Sequence, residues 1–536
     1  VKAPATTVEQ ILLDAQATLK ARDWDRLTRL ARMLQRNRQW EAAEHCLQQV
    51  LAQVPGHHEA QLALADHFMI GGRADEARQL IEAALAARPG DPLLLMAFAR
   101  ACSSMGEIED ALAALDLAES KPGPWQARAG RLFALNLAYL PDVSAEDLRD
   151  CGTEWEKRYA PVASPRPVLP ARRPGRWRIG YYSPDFCRHS VAHFLPGIFE
   201  RHDRDAFEIH LYSDTPLRDE ITARYRQLAE HWHELTDLPD AEAVATLRAG
   251  ELDLLVDCSG FFGACRPQLF SQRPARVQAH FLGYNGTTGL RSLDYRFTDA
   301  ICEPPGTEAA SSEKLVRLEP GFHCYRPLTD APEPGPLPSA TNGYVTFGSF
   351  NNLPKVNDEV VALCVDVLQS LPDSRLLIKA ISLTNPASRQ LLVKRFEALG
   401  IDPGRIDALP PSPGQQEHLE TYDRVDITLD TFPCNGTTTT LESLWMGVPV
   451  LTLPGQRHSA RVSASLLSQV GLQACVVNDP TGFVETAKRL ARDEQLRADW
   501  RNSLRQRIRN APLGDPGQFV PRLEAAYRQI IRASES

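Results

Sequence analysis

The chain has 536 residues, of which 43% are hydrophobic and 24% charged. These are the proportions of globular protein, so extended disorder and fibrous structure are excluded, and the length predicts about three domains. A net charge of −9 argues against a general nucleic-acid binder, which needs a basic face to neutralise phosphates. No run of about 18 apolar residues occurs, so no membrane-spanning helix is expected. The start, Val1-Lys2-Ala3-Pro4, has no initiator Met and no signal-peptide core, as expected of a truncated or processed chain. The 11 cysteines are scattered without a Cys-x-x-Cys pair, which fits a reducing cytosol and predicts a cytoplasmic protein.

The first 120 residues repeat. Ala43, Ala77 and Ala111 are 34 residues apart, as are Gly72 and Gly106, and Pro55 and Pro89. Arg38 stands where the first unit would carry its Gly. Thirty-four is the period of the tetratricopeptide helical hairpin. A small Ala lets two antiparallel helices approach, Gly permits the turn between them, and Pro stops the second helix. About three units are expected between Asp23 and Pro122, preceded by an amphipathic helix from Val8 to Leu19. Trp125 to Tyr159 reads as a continuation of the array. Such hairpins stack to bury their apolar faces and leave a groove. The repeats are therefore assigned to residues 1–160, with a proline-rich linker at 161–176.

Beyond Trp177 strands and helices alternate. Strands are expected at Arg178–Ser183, Phe207–Tyr212, Leu252–Val256 and Val277–Leu282. Helices are expected from about Val191, over Arg218–His231 and over Ala241–Ala249. A second linker, rich in Pro, Ala and Gly, covers 331–343. A second alternating unit comes next, with strands at Tyr344–Phe347, Arg375–Lys379, near Arg405, at Asp426–Leu429 and at Val448–Leu453. Its helices are expected at Asp358–Gln369, Ala387–Leu399, Gln415–Tyr422, Thr438–Met446 and Phe519–Ile531. Alternation predicts parallel sheets covered on both faces. The units span 177–330 and 344–536, and a cleft between them is the expected ligand site.

The most informative segment is Asp430-Thr431-Phe432-Pro433-Cys434-Asn435-Gly436-Thr437-Thr438-Thr439-Thr440-Leu441-Glu442. A strand ends, Gly436 allows close backbone approach, and the hydroxyls of Thr437, Thr438 and Thr439 open a helix. The partial positive charge of that helix N-terminus makes a diphosphate cradle. An ordinary Thr N-cap is the plainer reading of these residues alone. No Gly-Lys-Thr or Gly-Lys-Ser is present after it, so the loop is not a Walker motif. His189 and His193 have His-x3-His spacing, but no third ligand is near in sequence. The pairs Asp23/Asp25 and Asp203/Asp205 sit in turn and cap contexts. No metal is expected.

With this segment the whole chain resembles the O-linked N-acetylglucosamine transferases, glycosyltransferase family 41, and bacterial members in particular. The motifs in order are Tyr181-Tyr182-Ser183-Pro184-Asp185-Phe186-x-x-His189, Gly283-Tyr284-Asn285-Gly286-Thr287, Phe350-Asn351-Asn352-Leu353-Pro354-Lys355, Gln416-Glu417-His418 and Asp430-x4-Asn435-Gly436-x-Thr438-Thr439. The resemblance implies a fold in which an α-solenoid is followed by an α/β GT-B pair of Rossmann-like lobes. It implies UDP-GlcNAc as donor, Ser or Thr hydroxyls of a protein acceptor held in the repeat groove and cleft, and no cofactor. Lys355 matches the family lysine on the leaving diphosphate, where an ammonium stabilises developing charge. Asn352 matches an amide near the phosphates. His189 matches a histidine at the sugar end of the site, either a general base or a residue that orients substrate. His418 matches a nucleotide contact, Arg266 an arginine beside the donor pocket, and Asn285, Gly286 and Thr287 a loop on the donor sugar.

The chain departs from animal members at three positions. Thr437 replaces a His, Glu442 replaces an Asp, and Gln415 replaces a Lys, which removes a positive charge near the diphosphate. The rival readings left open are another donor such as GDP-fucose, an Asn or surface-glycan acceptor, and a non-catalytic repeat scaffold.

Overall fold

The computed structural model describes residues 7–163, 172, 174–328 and 331–534. Residues 164–171 and 173 of the proline-rich segment lie outside them. Among the described residues, nine helices precede the first strand. They are α1 (Val8–Ala21), α2 (Trp24–Arg36), α3 (Trp40–Gln53), α4 (His58–Ile70), α5 (Ala74–Ala87), α6 (Pro92–Met105), α7 (Ile108–Glu119), α8 (Gln126–Leu137) and α9 (Ala145–Tyr159). The pairs α2/α3, α4/α5 and α6/α7 are the three expected hairpins. Ala43, Ala77 and Ala111 are fully buried where the hairpin helices touch. The turns carry Arg38, Gly72 and Gly106 at φ of +58°, +72° and +88°. The left-handed position therefore persists in the first repeat without its glycine. Arg38 offsets the backbone cost with an ion pair, its Nη2 lying 2.5 Å from Asp219 Oδ2.

The turns also seat the repeats on the rest of the molecule. A Cβ on Gly72 would lie 2.3 Å from the Ile381 carbonyl oxygen, and one on Gly106 would lie 3.1 Å from that of Leu353. Helix α9 is fused to the loops of the first α/β lobe. The Glu156 carboxylate accepts hydrogen bonds from the Arg291 and Ser292 amides at 2.8 and 2.9 Å. The Trp155 and Phe261 rings meet at 5.7 Å.

Two parallel sheets complete the chain. The first contains β1 (Trp177–Ser183), β2 (Phe207–Ser213), β3 (His231–Glu234), β4 (Leu254–Asp257), β5 (Val277–His280), β6 (Tyr295–Thr298) and β7 (Lys314–Arg317). Their order is β3-β2-β1-β4-β5-β6-β7. The second contains β8 (Thr346–Ser349), β9 (Arg375–Lys379), β10 (Ile406–Leu409), β11 (Ile427–Leu429) and β12 (Val450–Leu451), in the order β10-β9-β8-β11-β12. Strand order reverses between β1 and β4 and between β8 and β11. The loops that leave these strands lie at topological switch points, where open α/β sheets bind ligands. The fold is thus a tetratricopeptide array followed by two GT-B-like lobes. No helix of the described residues is long and apolar enough to cross a membrane.

Several details differ from the sequence expectation, which did not include strands β6 and β7. The helix placed over Arg218–His231 is Glu220–Leu228, and His231–Glu234 is edge strand β3. The helix expected from Val191 begins as a 3-10 turn at Ser190–His193 and becomes α-helical at Leu195–Arg201. The terminal helix, Pro516–Ala533, packs back on the first lobe. Its Tyr527 hydroxyl lies 3.0 Å from that of Tyr181, and Glu524 Oε1 lies 2.9 Å from His202 Nδ1. Phe519, Leu523, Tyr527 and Ile530 recur at helical spacing, and that apolar stripe joins a core continuous through both sheets.

Candidate active site in the inter-lobe cleft

A cleft of about 610 Å3 lies between the lobes. The first lobe contributes His189 and Asn285 to its walls. The second contributes Asn352, Lys355, His418, Thr437, Thr438, Thr439 and Glu442. Nine residues singled out from sequence therefore line one cavity.

The helix Thr438–Trp445 starts at the cleft wall with no side chain capping it, and first-turn amides have no partner within their own helix. Gly436 lies behind this wall. A Cβ there would fall 2.4 Å from Thr439 Oγ1 and 2.9 Å from Thr440 Oγ1, so only glycine lets the loop fold this closely. Thr439 is fixed by its hydroxyl bond to Asn351 Oδ1 at 3.1 Å. Lys355, from the loop after β8, donates to the Asn435 carbonyl at 2.7 Å. Burial pulls its ammonium pKa below the usual lysine value, against the opposing influence of the Asp430 carboxyl. A cation, first-turn amides and a row of hydroxyls meet on one wall, and together they suit a polyanion.

A second group lies beside them. Lys379, the last residue of β9, places Nζ 2.6 Å from Ser412 Oγ, 3.0 Å from His418 Nδ1 and 3.1 Å from Thr421 Oγ1. An ammonium only donates, so His418 Nδ1 accepts and its Nε2–H points to Glu442 Oε2 at 3.0 Å. Gln415 Nε2 donates to the other Glu442 oxygen at 3.0 Å. Burial alone would raise the Glu442 pKa, but the bonds from His418 and Gln415 outweigh it and hold the carboxylate low. Burial pulls Lys379 down to about 8. Sequence reasoning passed over Lys379. The available signal was a lysine closing an apolar strand, Leu376-Leu377-Ile378, at its carboxyl end.

The opposite wall carries imidazoles. His189 is exposed to the cleft, and its Nδ1 accepts from the Val191 amide at 3.4 Å. His193 is buried and stacks on Tyr325 at 5.7 Å, and its Nδ1 has no hydrogen-bond partner. Burial depresses its pKa, so a neutral ring stands there. Asn285 Nδ2 donates across the cleft to Thr437 Oγ1 at 3.1 Å and so joins the two lobes.

Four expected residues do not line the cavity, Gly436 behind its wall and three others. Arg266 does not line it. Its guanidinium binds Asp214 at 2.7 and 3.1 Å, Asp240 at 3.1 Å, and the Leu235 and Leu238 carbonyls at 3.0 and 2.7 Å. It is therefore a brace within the first lobe. Thr287 turns inward to Glu313 Oε2 at 2.7 Å. Gly286 is buried beside it and lines no part of the cavity. His189 and His193 belong to no metal-like cluster among the described residues. The one such group there is Glu208, His210 and His231. Both histidine Nε2 atoms lie 3.1 Å from Glu208 Oε1, and none of the three lines the cleft.

This architecture has relatives. The model of glycosyl transferase family 41 matches residues 165–325 and 337–523, and tetratricopeptide-repeat models match 28–92 and 68–129. A solved O-GlcNAc transferase of Thermobaculum terrenum, in a Lys-to-Met variant, shares 33% identity. It superposes with a TM-score of 0.89 over 97% of this chain and 98% of that one. Probable UDP-N-acetylglucosamine–peptide N-acetylglucosaminyltransferase SPINDLY of Petunia hybrida is 35% identical over 417 residues, which is 77% of this chain and 44% of the relative. The similarly named SEC of Arabidopsis thaliana is 30% identical over 376 residues, 67% of this chain and 38% of the relative. The chain thus spans less than half the length of these curated relatives. With the family model covering both lobes around the cleft, the chain belongs to glycosyl transferase family 41.

Proposed function

We propose that the chain is an inverting glycosyltransferase that moves N-acetylglucosamine from UDP-N-acetylglucosamine to Ser or Thr hydroxyls of polypeptides. The observation that carries this reading is the meeting of Lys355 with the uncapped helix at Thr438, opposite imidazoles on the facing lobe. The donor's diphosphate rests on Lys355 and the Thr438–Thr439 amides. The acceptor hydroxyl attacks the anomeric carbon from the opposite side. A bond forms from the hydroxyl oxygen to that carbon as the bond to the UDP oxygen breaks. The hydroxyl proton passes to a base on the first lobe, for which His189 is the exposed imidazole. Lys355 and the helix terminus hold the charge that gathers on departing UDP, so no divalent ion is needed. Closure of both substrates in one cleft contributes proximity. The acceptor polypeptide runs from the groove under the repeats into the cleft. Eleven unpaired cysteines support a cytoplasmic setting, which a fractionation finding the protein elsewhere would overturn.

The test is transfer to a Ser/Thr peptide in the presence of a chelator, read by mass spectrometry as peptide-linked N-acetylhexosamine. Transfer is expected with chelator present. It should fall by about 10²–10³ in Lys355→Ala, the cost of losing one preorganised charge donor. Undiminished turnover in that variant would remove the leaving-group role. Protection against heating by GDP but not UDP would overturn the donor assignment.

A further inference from the structure

We propose that the groove between the repeats and the first lobe selects polypeptides carrying an acidic segment beside the acceptor residue. The transferase reading supplies the acceptor residue, whereas the acidic chemistry is read from the groove itself.

The groove encloses about 880 Å3 and is lined by the first helix of each hairpin, α2, α4 and α6, by α8, and across from them by first-lobe residues such as Leu217 and Cys265. Five arginines line it, Arg32, Arg36, Arg100, Arg128 and Arg131, against a single carboxylate, Asp66. Arg32, Asp66 and Arg100 are 34 residues apart. They occupy the same inward position of successive repeats, so the repeat geometry itself stacks them in a column.

The pairing leaves positive charge over. Asp66 is shared, lying 3.7 Å from Arg32 Nη1 and in close contact with Arg100. Arg36 reaches Asp237 at 3.5 Å, with 55% and 68% of the two side chains exposed, so that pair is strongly screened. Arg131 donates to neutral partners, the Phe261 carbonyl and Cys265 Sγ. Arg128 stands exposed in the groove. The surrounding walls and the like charges of Arg100 and Arg131 pull its pKa below the usual arginine value. Positive charge lining a low-dielectric cleft focuses its field on whatever enters.

Three observations identify the occupant. The groove adjoins the catalytic cleft, since Gly263 lines one and its neighbour Phe262 the other, and Asn136 lines one and Tyr139 the other. A single extended chain can therefore occupy both. The rest of the molecule carries enough acid to bring the whole chain to −9, which repels a long polyanion. Ile70, 46% exposed, adds apolar surface along the groove wall. Carboxylates set among ordinary side chains fit this better than a nucleic-acid backbone.

The experiment uses the full chain and two fluorescent Ser-containing peptides, one with four Glu flanking the Ser and a twin with four Gln. Binding is read by anisotropy at low and high salt, beside UDP affinity by calorimetry. The acidic peptide is expected to bind at least about tenfold more tightly, with the advantage shrinking as salt screens it. Arg128→Glu and Arg36→Glu, each changing an exposed side chain, should each reduce that advantage while UDP affinity shows the fold intact. Equal binding of the twins, or an advantage unmoved by both variants, would overturn the inference. So would displacement of the acidic peptide by equimolar single-stranded RNA. Because peptide binding is read without sugar transfer, the groove and the transferase reading can fail separately.

Discussion

Lys379 shows how one buried charge organises the cleft. Its ammonium fixes the tautomer of His418, and His418 in turn grips Glu442. With its pKa near 8, Lys379 is charged at neutral pH and loses its proton just above. An anionic ligand favours the protonated form, so nucleotide binding takes up a proton above pH 8. UDP affinity is therefore expected to fall from pH 7 to pH 9, by at most about tenfold per unit, and Lys379→Met should flatten that slope in calorimetry. An unchanged slope in the variant would show that Lys379 does not couple to the ligand. The stability effect runs in the opposite direction. The unfolded chain holds this proton more tightly between about 8 and the ordinary value of 10.5. The contribution of Lys379 to stability thus rises with pH across that window. Sequence could point to the helix at Thr438, because its residue types make an anion cradle unaided, and to Lys355 through the family resemblance. For Lys379 it held only the weak signal of a lysine closing an apolar strand, because its partners Ser412, His418 and Thr421 come from elements 33–42 residues further along the chain.

At the scale of elements, α9 joins the repeats to the first lobe through close backbone contact. A Cβ on Gly152 would fall 2.0 Å from the Thr288 carbonyl oxygen, and one on Gly289 would fall 2.3 Å from that of Arg149. Backbone cannot give way as a side chain can, so Gly152→Ala should destabilise the protein by about 1–3 kcal/mol or more, measured as a lower denaturant midpoint. An unchanged midpoint would mean that α9 is not bound as described. The repeats were legible because Ala43, Ala77 and Ala111 keep one register over three units. The left-handed turn at Arg38 was not, because only a glycine announces such a backbone. Strands β3, β6 and β7 were missed for a related reason. They are four residues each, and His231-Trp232-His233-Glu234 and Lys314-Leu315-Val316-Arg317 lack a continuous apolar run. Their pairing is dictated by neighbouring strands rather than by local pattern.

Across the whole molecule, three bodies are tied together around one cavity. Repeat turns press on both lobes, through Arg38 on Asp219 and through Gly72 on Ile381. The terminal helix returns from the second lobe to Tyr181, and Asn285 reaches Thr437 across the cleft. Arg266, which a motif match placed at the ligand, instead holds the first lobe together. Motif order locates a region reliably, but whether a side chain faces the cavity or the interior depends on packing that no short motif encodes. The claim on which the functional account stands is the location of the diphosphate. A crystal structure of the complex with UDP measures it directly. The account predicts the diphosphate oxygens within hydrogen-bonding distance of Lys355 Nζ and of the Thr438 and Thr439 amides, with the base near His418. A nucleotide bound outside the inter-lobe cleft, or bound there with Lys355 turned away from its phosphates, would contradict it.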